Sequence, residues 1–149
     1  MTIKAPTTTT GVTLMELLIT MAVVGFLLAI GHTSYISQVQ KARRADAQGA
    51  ILENAQFMQR LYTETGCFNP GADRDCAPPN NDAAATLPIV ESPADSGTKY
   101  YDHSLQNLTA MSYTLRAAPK GPQSDDRCGV MTLNHVRQKT PSDPACWRK

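Results

Sequence analysis

The sequence predicts an α+β protein in which one long N-terminal helix packs on a small antiparallel β-sheet. Three observations favour this class: an early apolar run, an amphipathic helical pattern that continues it, and strand-like segments near the C-terminus. The 149 residues fit one domain, and 14 Lys and Arg against 13 Asp and Glu give a net charge of +1. Because no overall basic excess is present, nucleic acid is not expected as a partner.

The apolar run covers residues 12–31, which read VTLMELLITMAVVGFLLAIG with Glu16 as the only charge. A helix of this length spans about 30 Å, the thickness of a bilayer core. We therefore predict a transmembrane or filament-core helix over 12–31. A secreted protein cleaved near Gly31 is the alternative, because Ala29–Gly31 weakly matches a signal-peptidase site.

Glu16 is the informative residue of this run. A carboxylate within an apolar membrane helix costs about 3 kcal/mol and usually marks a function. Val12 lies four residues earlier, on the same helix face. If the chain were cut after Gly11, the new amine of Val12 and the carboxylate of Glu16 would neutralise each other, within one chain or between packed neighbours. The structural alternative is that Glu16 stabilises the helix N-terminus or reaches the headgroups.

The helix is predicted to continue over 32–66 as an amphipathic segment, with Gly66 as its C-cap. The basic cluster at 41–44 (KARR) is interpreted as a solvated helix face. The stripe predicted to hold the sheet consists of Tyr35, Val39, Ala42, Ala45, Gly49, Leu52, Ala55, Met58 and Tyr62.

A small head is predicted over 67–149. Its first part is rich in Pro, Asn and Asp and reads as loop, and three later segments read as strands of an antiparallel meander. In the middle strand, Tyr113, Leu115 and Ala117 alternate with polar residues. The predicted strands are Lys99–Leu105, Met111–Ala117 and Gly129–Val136.

Four cysteines in so small a head fit an oxidising compartment and allow three disulfide connectivities. We predict the two local pairs, Cys67 with Cys76 and Cys128 with Cys146, which would staple a small core. No close Cys pair or paired His accompanies them, so a zinc site is not expected. No nucleophile elbow, phosphate loop or HExxH motif is present, so neither an enzyme nor a cofactor is predicted.

The start of the chain resembles the type IV pilin family. The residues that carry this resemblance are Gly11 and the following VTLMELL, in which Glu16 precedes a long apolar helix. The stretch 35–66 resembles the helix of PilE-type minor pilins, and the pair Cys146-Trp147 is similar to their C-terminus. The similarity is good from Gly11 to about Gly66 and patchier afterwards.

This resemblance implies the type IV pilin fold, with a helix about half transmembrane and a disulfide-bounded C-terminal region closed by Cys128–Cys146. It implies a leader over residues 1–11, cleavage between Gly11 and Val12 by a prepilin peptidase, and N-methylation of Val12. It also implies that Glu16 sets subunit register in the fibre. Gly25 is then a point of helix flexibility.

The resemblance further implies a structural subunit, a minor pilin used in pilus biogenesis, twitching motility, adhesion or DNA uptake. Its partners would be major and minor pilins, the prepilin peptidase and the pilus assembly machinery of the inner membrane. In a Gram-negative bacterium the head would face the periplasm and later the outside, as the cysteines suggest, although the basic residues after the apolar run favour the cytoplasm. The alternatives are a major pilin, a secretion pseudopilin and a membrane-anchored periplasmic binding module.

Overall fold

The computed structural model describes residues 11–71, 76 and 85–147, with the backbone alone for 29–34. Helix α1 runs from Leu14–Thr65 without interruption. It ends at Gly66, which has a φ of 84° and donates its N–H to the carbonyl of Tyr62 at 2.8 Å, as an αL cap requires. The predicted C-cap is therefore confirmed, and the leader residues 1–10 lie outside the described residues.

The chain divides into two compact units, residues 1–38 and 39–149. The domain boundaries predicted at 31/32 and 66/67 stay predictions. In the described part of the chain, no helix combines the length and apolarity that crossing a membrane requires.

The second unit contains a five-stranded antiparallel sheet in which every strand pairs with the next one along the chain. The three predicted strands are confirmed with small shifts of their ends. Two strands of two residues each were not predicted, because so short a segment has no readable alternation. The strands are β1 (Glu91–Ser92), β2 (Tyr101–Gln106), β3 (Thr114–Pro119), β4 (Met131–Asn134) and β5 (Lys139–Thr140).

One face of this sheet packs on the helix residues of the second unit. Tyr113, Leu115 and Ala117 are buried, as their alternation predicts. They belong to one core cluster with Ile51 and Met58 of the helix.

The predicted helix stripe is wrong at several positions. Tyr35, Ala42, Gly49 and Leu52 are exposed, and the buried face lies one position away. Three polar residues, Arg44, Gln48 and Asn54, belong to that face and each hydrogen-bonds to a residue far along the chain, so an apolar pattern alone could not locate it. The buried helix residues are Arg44, Ala47, Gln48, Ala50, Ile51, Asn54 and Met58.

Both predicted disulfides are present. Cys67 is bonded to Cys76 with a Cα–Cα distance of 5.9 Å, and Cys128 to Cys146 with 5.6 Å. The second bridge ties the segment before β4 to the C-terminal segment that follows β5. The C-terminal region is therefore stapled to the sheet that it follows.

Candidate functional sites in the helix and in the head

The first candidate site lies at the start of α1. Thr13 caps the helix, because its Oγ1 accepts the backbone N–H of Glu16 at 3.2 Å. The spacing Thr13-x-x-Glu16 is that of a capping box, in which an acid at the third helical position reaches back toward the cap. This capping box was not predicted, although Thr13 and Glu16 alone contain its pattern.

The residues around that cap are fully accessible. Every residue from Gly11 to Leu28 is exposed, and Val12, at 71 %, directly precedes the cap. Phe26 and Leu28 are 75 % and 69 % exposed. A continuous apolar surface of this size needs a covering partner. Gly25 lies within the unbroken helix, and its predicted flexibility stays a prediction.

The second candidate site is a groove of about 570 Å³ in the head, which we call the helix–hairpin groove. It lies between the second half of α1 and the hairpin of β4 and β5. Its helix side consists of Leu52, Gln56, Gln59, Arg60 and Thr63. Its hairpin side consists of Asn134, His135, Arg137 and Lys139, and its base of Ala55, Tyr113 and Leu133.

The groove is cationic. Arg60, Arg137 and Lys139 are exposed, and none of the described residues that line the groove is an Asp or Glu. Among the described residues, none of these three cations has a carboxylate within ion-pair distance. Burial raises the pKa of the Tyr113 hydroxyl at the base, while the charge of Arg137 acts in the opposite direction.

Arg137 lies in the turn of the hairpin, and Lys139 begins the strand that follows. Arg137 has a φ of 62°, a left-handed conformation that non-glycine residues rarely adopt. Its N–H donates to the carbonyl of Asn134, and the Asn134 and Gln138 side chains hydrogen-bond at 2.8 Å. The ammonium of Lys139 lies 5.2 Å from the ring centroid of Trp147. Arg137 and Lys139 were not predicted as site residues, although HVRQK at 135–139 is a local cluster of basic residues.

A third feature is a row of polar side chains across the solvent face of the sheet, which we call the polar row. It consists of Ser104, Arg116, Thr132 and Thr140, which are paired in register from β2 to β5. The hydroxyls of Thr132 and Thr140 are 2.5 Å apart. Arg116 has no carboxylate partner among the described residues. Hydroxyls beside a guanidinium are donors suited to phosphate.

A buried network joins the helix to the segment before β4. Arg44 donates to both oxygens of Asp126, whose second oxygen also accepts the Tyr101 hydroxyl at 2.6 Å. Gln123 donates to that hydroxyl and to the carbonyl of Gln40, both at 3.2 Å. The interpretation of KARR as a solvated face is therefore wrong for Arg44, which is 5 % exposed.

Electrostatics keeps this network charged. Burial alone would raise the pKa of the Asp126 carboxyl, but the hydrogen bonds from Arg44 and Tyr101 outweigh it and hold that pKa below its usual value. The bond to Asp126 raises the pKa of Arg44. Burial and then the bond to Asp126 raise the pKa of Tyr101.

The predicted site residues do not form one site. Gly11, Val12, Glu16 and Gly25 lie in the first unit, and the four cysteines lie in the second. The first set therefore lies on the exposed helix, whereas the cysteines form disulfides that stabilise the head.

Comparison with known proteins gives one family match and similar solved structures. Residues 33–132 match the model of a family described as "Type IV minor pilin ComP, DNA uptake sequence receptor". A type IV pilin structure from Shewanella oneidensis is similar, with 25 % identity and a TM-score of 0.53 over 74 % of this chain and 99 % of that one. The non-core minor pilin PilV of Neisseria meningitidis matches with 22 % identity and a TM-score of 0.45, over 69 % and 86 %. No curated protein matches the chain.

Proposed function

Because the chain belongs to the ComP family of type IV minor pilins, we propose that it is built into a type IV pilus through its N-terminal helix. The observation that supports this proposal is the exposed apolar surface of residues 12–28. In a fibre, neighbouring helices would cover that surface. The subunit is structural, and the other pilins are its partners.

We further propose processing between Gly11 and Val12 by a prepilin peptidase, with methylation of the new amine. The cap at Thr13 supports this position, because the helix begins two residues after the proposed cut. Mass spectrometry of protein from sheared pili should give a chain that starts at Val12 and carries one methyl group. A chain that starts near His32 or retains Met1 would contradict this proposal.

Before assembly, the precursor would be held at the inner membrane with its head in the periplasm, where the assembly machinery collects it. The two disulfides of the head support an oxidising compartment. Protease added to spheroplasts should therefore digest the head. A protected head would contradict this orientation.

Glu16 has two candidate roles that one pair of variants separates. As a charge partner of a neighbouring subunit's N-terminal amine it must be ionised. As the acid of the capping box it is replaceable by Gln, which caps equally well. We propose the first role and expect both Glu16→Gln and Glu16→Ala to be lost from sheared pili.

The matched control is Thr20→Ala, because Thr20 is exposed on the same helix and donates only to the carbonyl of Leu17. It should be incorporated normally, and immunoblots of pili and membranes measure both fractions. Normal incorporation of Glu16→Gln with loss of Glu16→Ala would assign Glu16 to the cap alone.

A second candidate function is contact with DNA, which the family's description as a DNA uptake sequence receptor supports. Our expectation from net charge did not include nucleic acid, but a charge total says nothing about local arrangement. The polar row offers a guanidinium between hydroxyls, and Ser104, Arg116 and Thr132 lie within the matched residues.

Binding of duplex DNA by the full-length chain, measured against salt concentration, tests this role. Arg116→Gln should weaken binding and reduce the slope of log K against log salt by about 1. Arg127→Gln is the control, because Arg127 is an exposed cation outside the row. No binding of any duplex, or equal binding by the Arg116 variant, would contradict a role of the row.

A further inference from the structure

We propose that the helix–hairpin groove is a docking site for an extended, acidic segment of another protein chain that carries apolar side chains between its acids. This inference goes beyond the proposed functions, because it concerns a different surface from the N-terminal helix and the polar row. It rests on the groove's length, its charge and its apolar base.

The length of the groove favours a chain-like ligand. Its helix side runs from Leu52 to Thr63, which is eleven residue steps. At 1.5 Å per residue these steps cover about 16 Å along the axis. An extended peptide advances about 3.3 Å per residue, so about five residues fill this length.

The charge of the groove favours acids on that peptide. Arg60 stands on the helix side, and Arg137 and Lys139 stand on the hairpin side. All three lack a carboxylate partner among the described residues, and the described part of the head supplies no acid to the lining. An acidic segment would therefore meet cations from both sides, without first breaking an ion pair of the head.

The apolar part of the groove separates this ligand from DNA. Leu52 borders the groove and is 47 % exposed, so its apolar side chain is open to a ligand. Ala55, Tyr113 and Leu133 form the base. The sugar-phosphate backbone of a duplex presents no aliphatic side chain to such a surface, whereas alternate residues of an extended peptide do. Arg137 and Lys139 also lie beyond residue 132, where the match to the DNA-receptor family ends.

The turn that presents Arg137 is strained, as residues at binding sites often are. The surrounding side-chain bonds of Asn134 and Gln138 hold the turn in this conformation. The guanidinium is thus presented by a fixed hairpin, which reduces the entropy lost on binding.

The probe is a capped pentapeptide of alternating Glu and Leu, added to the full-length chain in a nonionic detergent. Fluorescein anisotropy of a labelled copy measures affinity. Emission of Trp147, the single tryptophan of the chain, reports occupancy because Lys139 lies beside its ring. Two control peptides keep the length: one replaces Glu by Lys, and the other replaces Leu by Ser.

We expect the Glu-Leu peptide to bind and both control peptides to bind at least fivefold more weakly. The double variant Arg137→Gln, Lys139→Gln should bind the Glu-Leu peptide about tenfold more weakly, because two charge contacts are lost. Leu52→Ser should weaken it as well. Arg127→Gln, outside the groove, should leave affinity unchanged, and circular dichroism confirms that each variant is folded.

Three results would overturn the proposal: no binding of the Glu-Leu peptide at about 1 mM, equal binding of either control peptide, or no effect of the double variant. Displacement of the peptide by a DNA duplex in competition would assign the groove to nucleic acid instead. None of these results depends on pilus incorporation, so the proposed function is tested separately.

Discussion

Arg44 and Asp126 form a buried ion pair in which the side chains are 6 % and 0 % exposed. The pair joins residues 82 positions apart, one on the helix and one before β4. Because Asp126 also accepts the Tyr101 hydroxyl, one carboxylate accepts three hydrogen bonds from two buried side chains. Removing Asp126 would therefore leave Arg44 and Tyr101 buried without this hydrogen-bond partner.

Asp126→Ala should lower the free energy of unfolding by about 3–5 kcal/mol, since Arg44 would remain buried without its counter-charge. Urea titration of the oxidised protein measures the change. Arg127→Ala is the control, because its ion pair with Asp143 is exposed on both sides and should contribute less than about 1 kcal/mol. Equal effects of the two variants would contradict the network's role.

His103 makes the head sensitive to mild acid. Its Nε2 lies 2.9 Å from the Ser92 hydroxyl, and among the described residues its buried Nδ1 has no partner. Burial lowers the pKa of His103 to about 4. The unfolded chain takes up the proton at about 6.5, so stability is complete above that pH and is lost as pH falls toward 4.

This loss should reach up to about 3 kcal/mol between pH 7 and pH 4. Urea midpoints across that range measure it. The loss should be smaller in His103→Gln and unchanged in His135→Gln, where the replaced histidine is exposed. An identical pH profile in His103→Gln would refute this assignment.

The side chain of Asn54 hydrogen-bonds to the backbone of Ile89 in the way that a neighbouring β-strand would. Its side-chain amide donates to the carbonyl of Ile89 at 2.8 Å, and its oxygen accepts the N–H of Ile89 at 3.1 Å. Asn54→Leu should destabilise the head by about 2–3 kcal/mol, because both backbone groups lose their partner.

Hydrogen exchange should show the local effect of Asn54→Leu as faster exchange of the Ile89 amide. Glu53→Ala, at the neighbouring exposed position, should leave that rate unchanged. Slow exchange at Ile89 in the Leu variant would mean that the amide is protected in another way.

The longer disulfide should contribute more stability than the shorter one. Cys128 and Cys146 are 18 residues apart, and Cys67 and Cys76 are 9 apart. Replacing the first pair by serine should cost about 3 kcal/mol, and replacing the second about 0.5 kcal/mol less. Thermal unfolding of both double variants measures the difference, and the reverse order would show that loop entropy does not control it.

Much of the fold could be predicted from the sequence, because its signals are local. The alternation of Tyr113, Leu115 and Ala117 identified a buried strand face, and Gly66 identified the end of the helix. The two local cysteine pairs were also correct. The resemblance to type IV pilins is confirmed by the family match, and so is the minor-pilin assignment.

The sequence could not reveal contacts between residues far apart in the chain. Arg44 was interpreted as part of a solvated basic cluster, because no residue near it in the sequence indicates that Asp126 is its partner. The helix–hairpin groove likewise needs α1 and β5 side by side before its charge becomes visible. The apolar periodicity of the helix did not locate its buried face for the same reason. That face contains polar residues, and they are buried only because partners far along the chain hydrogen-bond to them.

The amide of Gln48 donates to the carbonyl of Cys146 at 2.7 Å, across 98 positions of sequence. The mid-helix thus receives its partner from the segment that follows the last strand of the sheet. A chain still emerging from the ribosome or the translocon has its helix long before this contact exists. This contact therefore forms only after the whole sheet has been synthesised, and a chain shortened ahead of Cys146 would leave quality-control proteases an unfinished substrate.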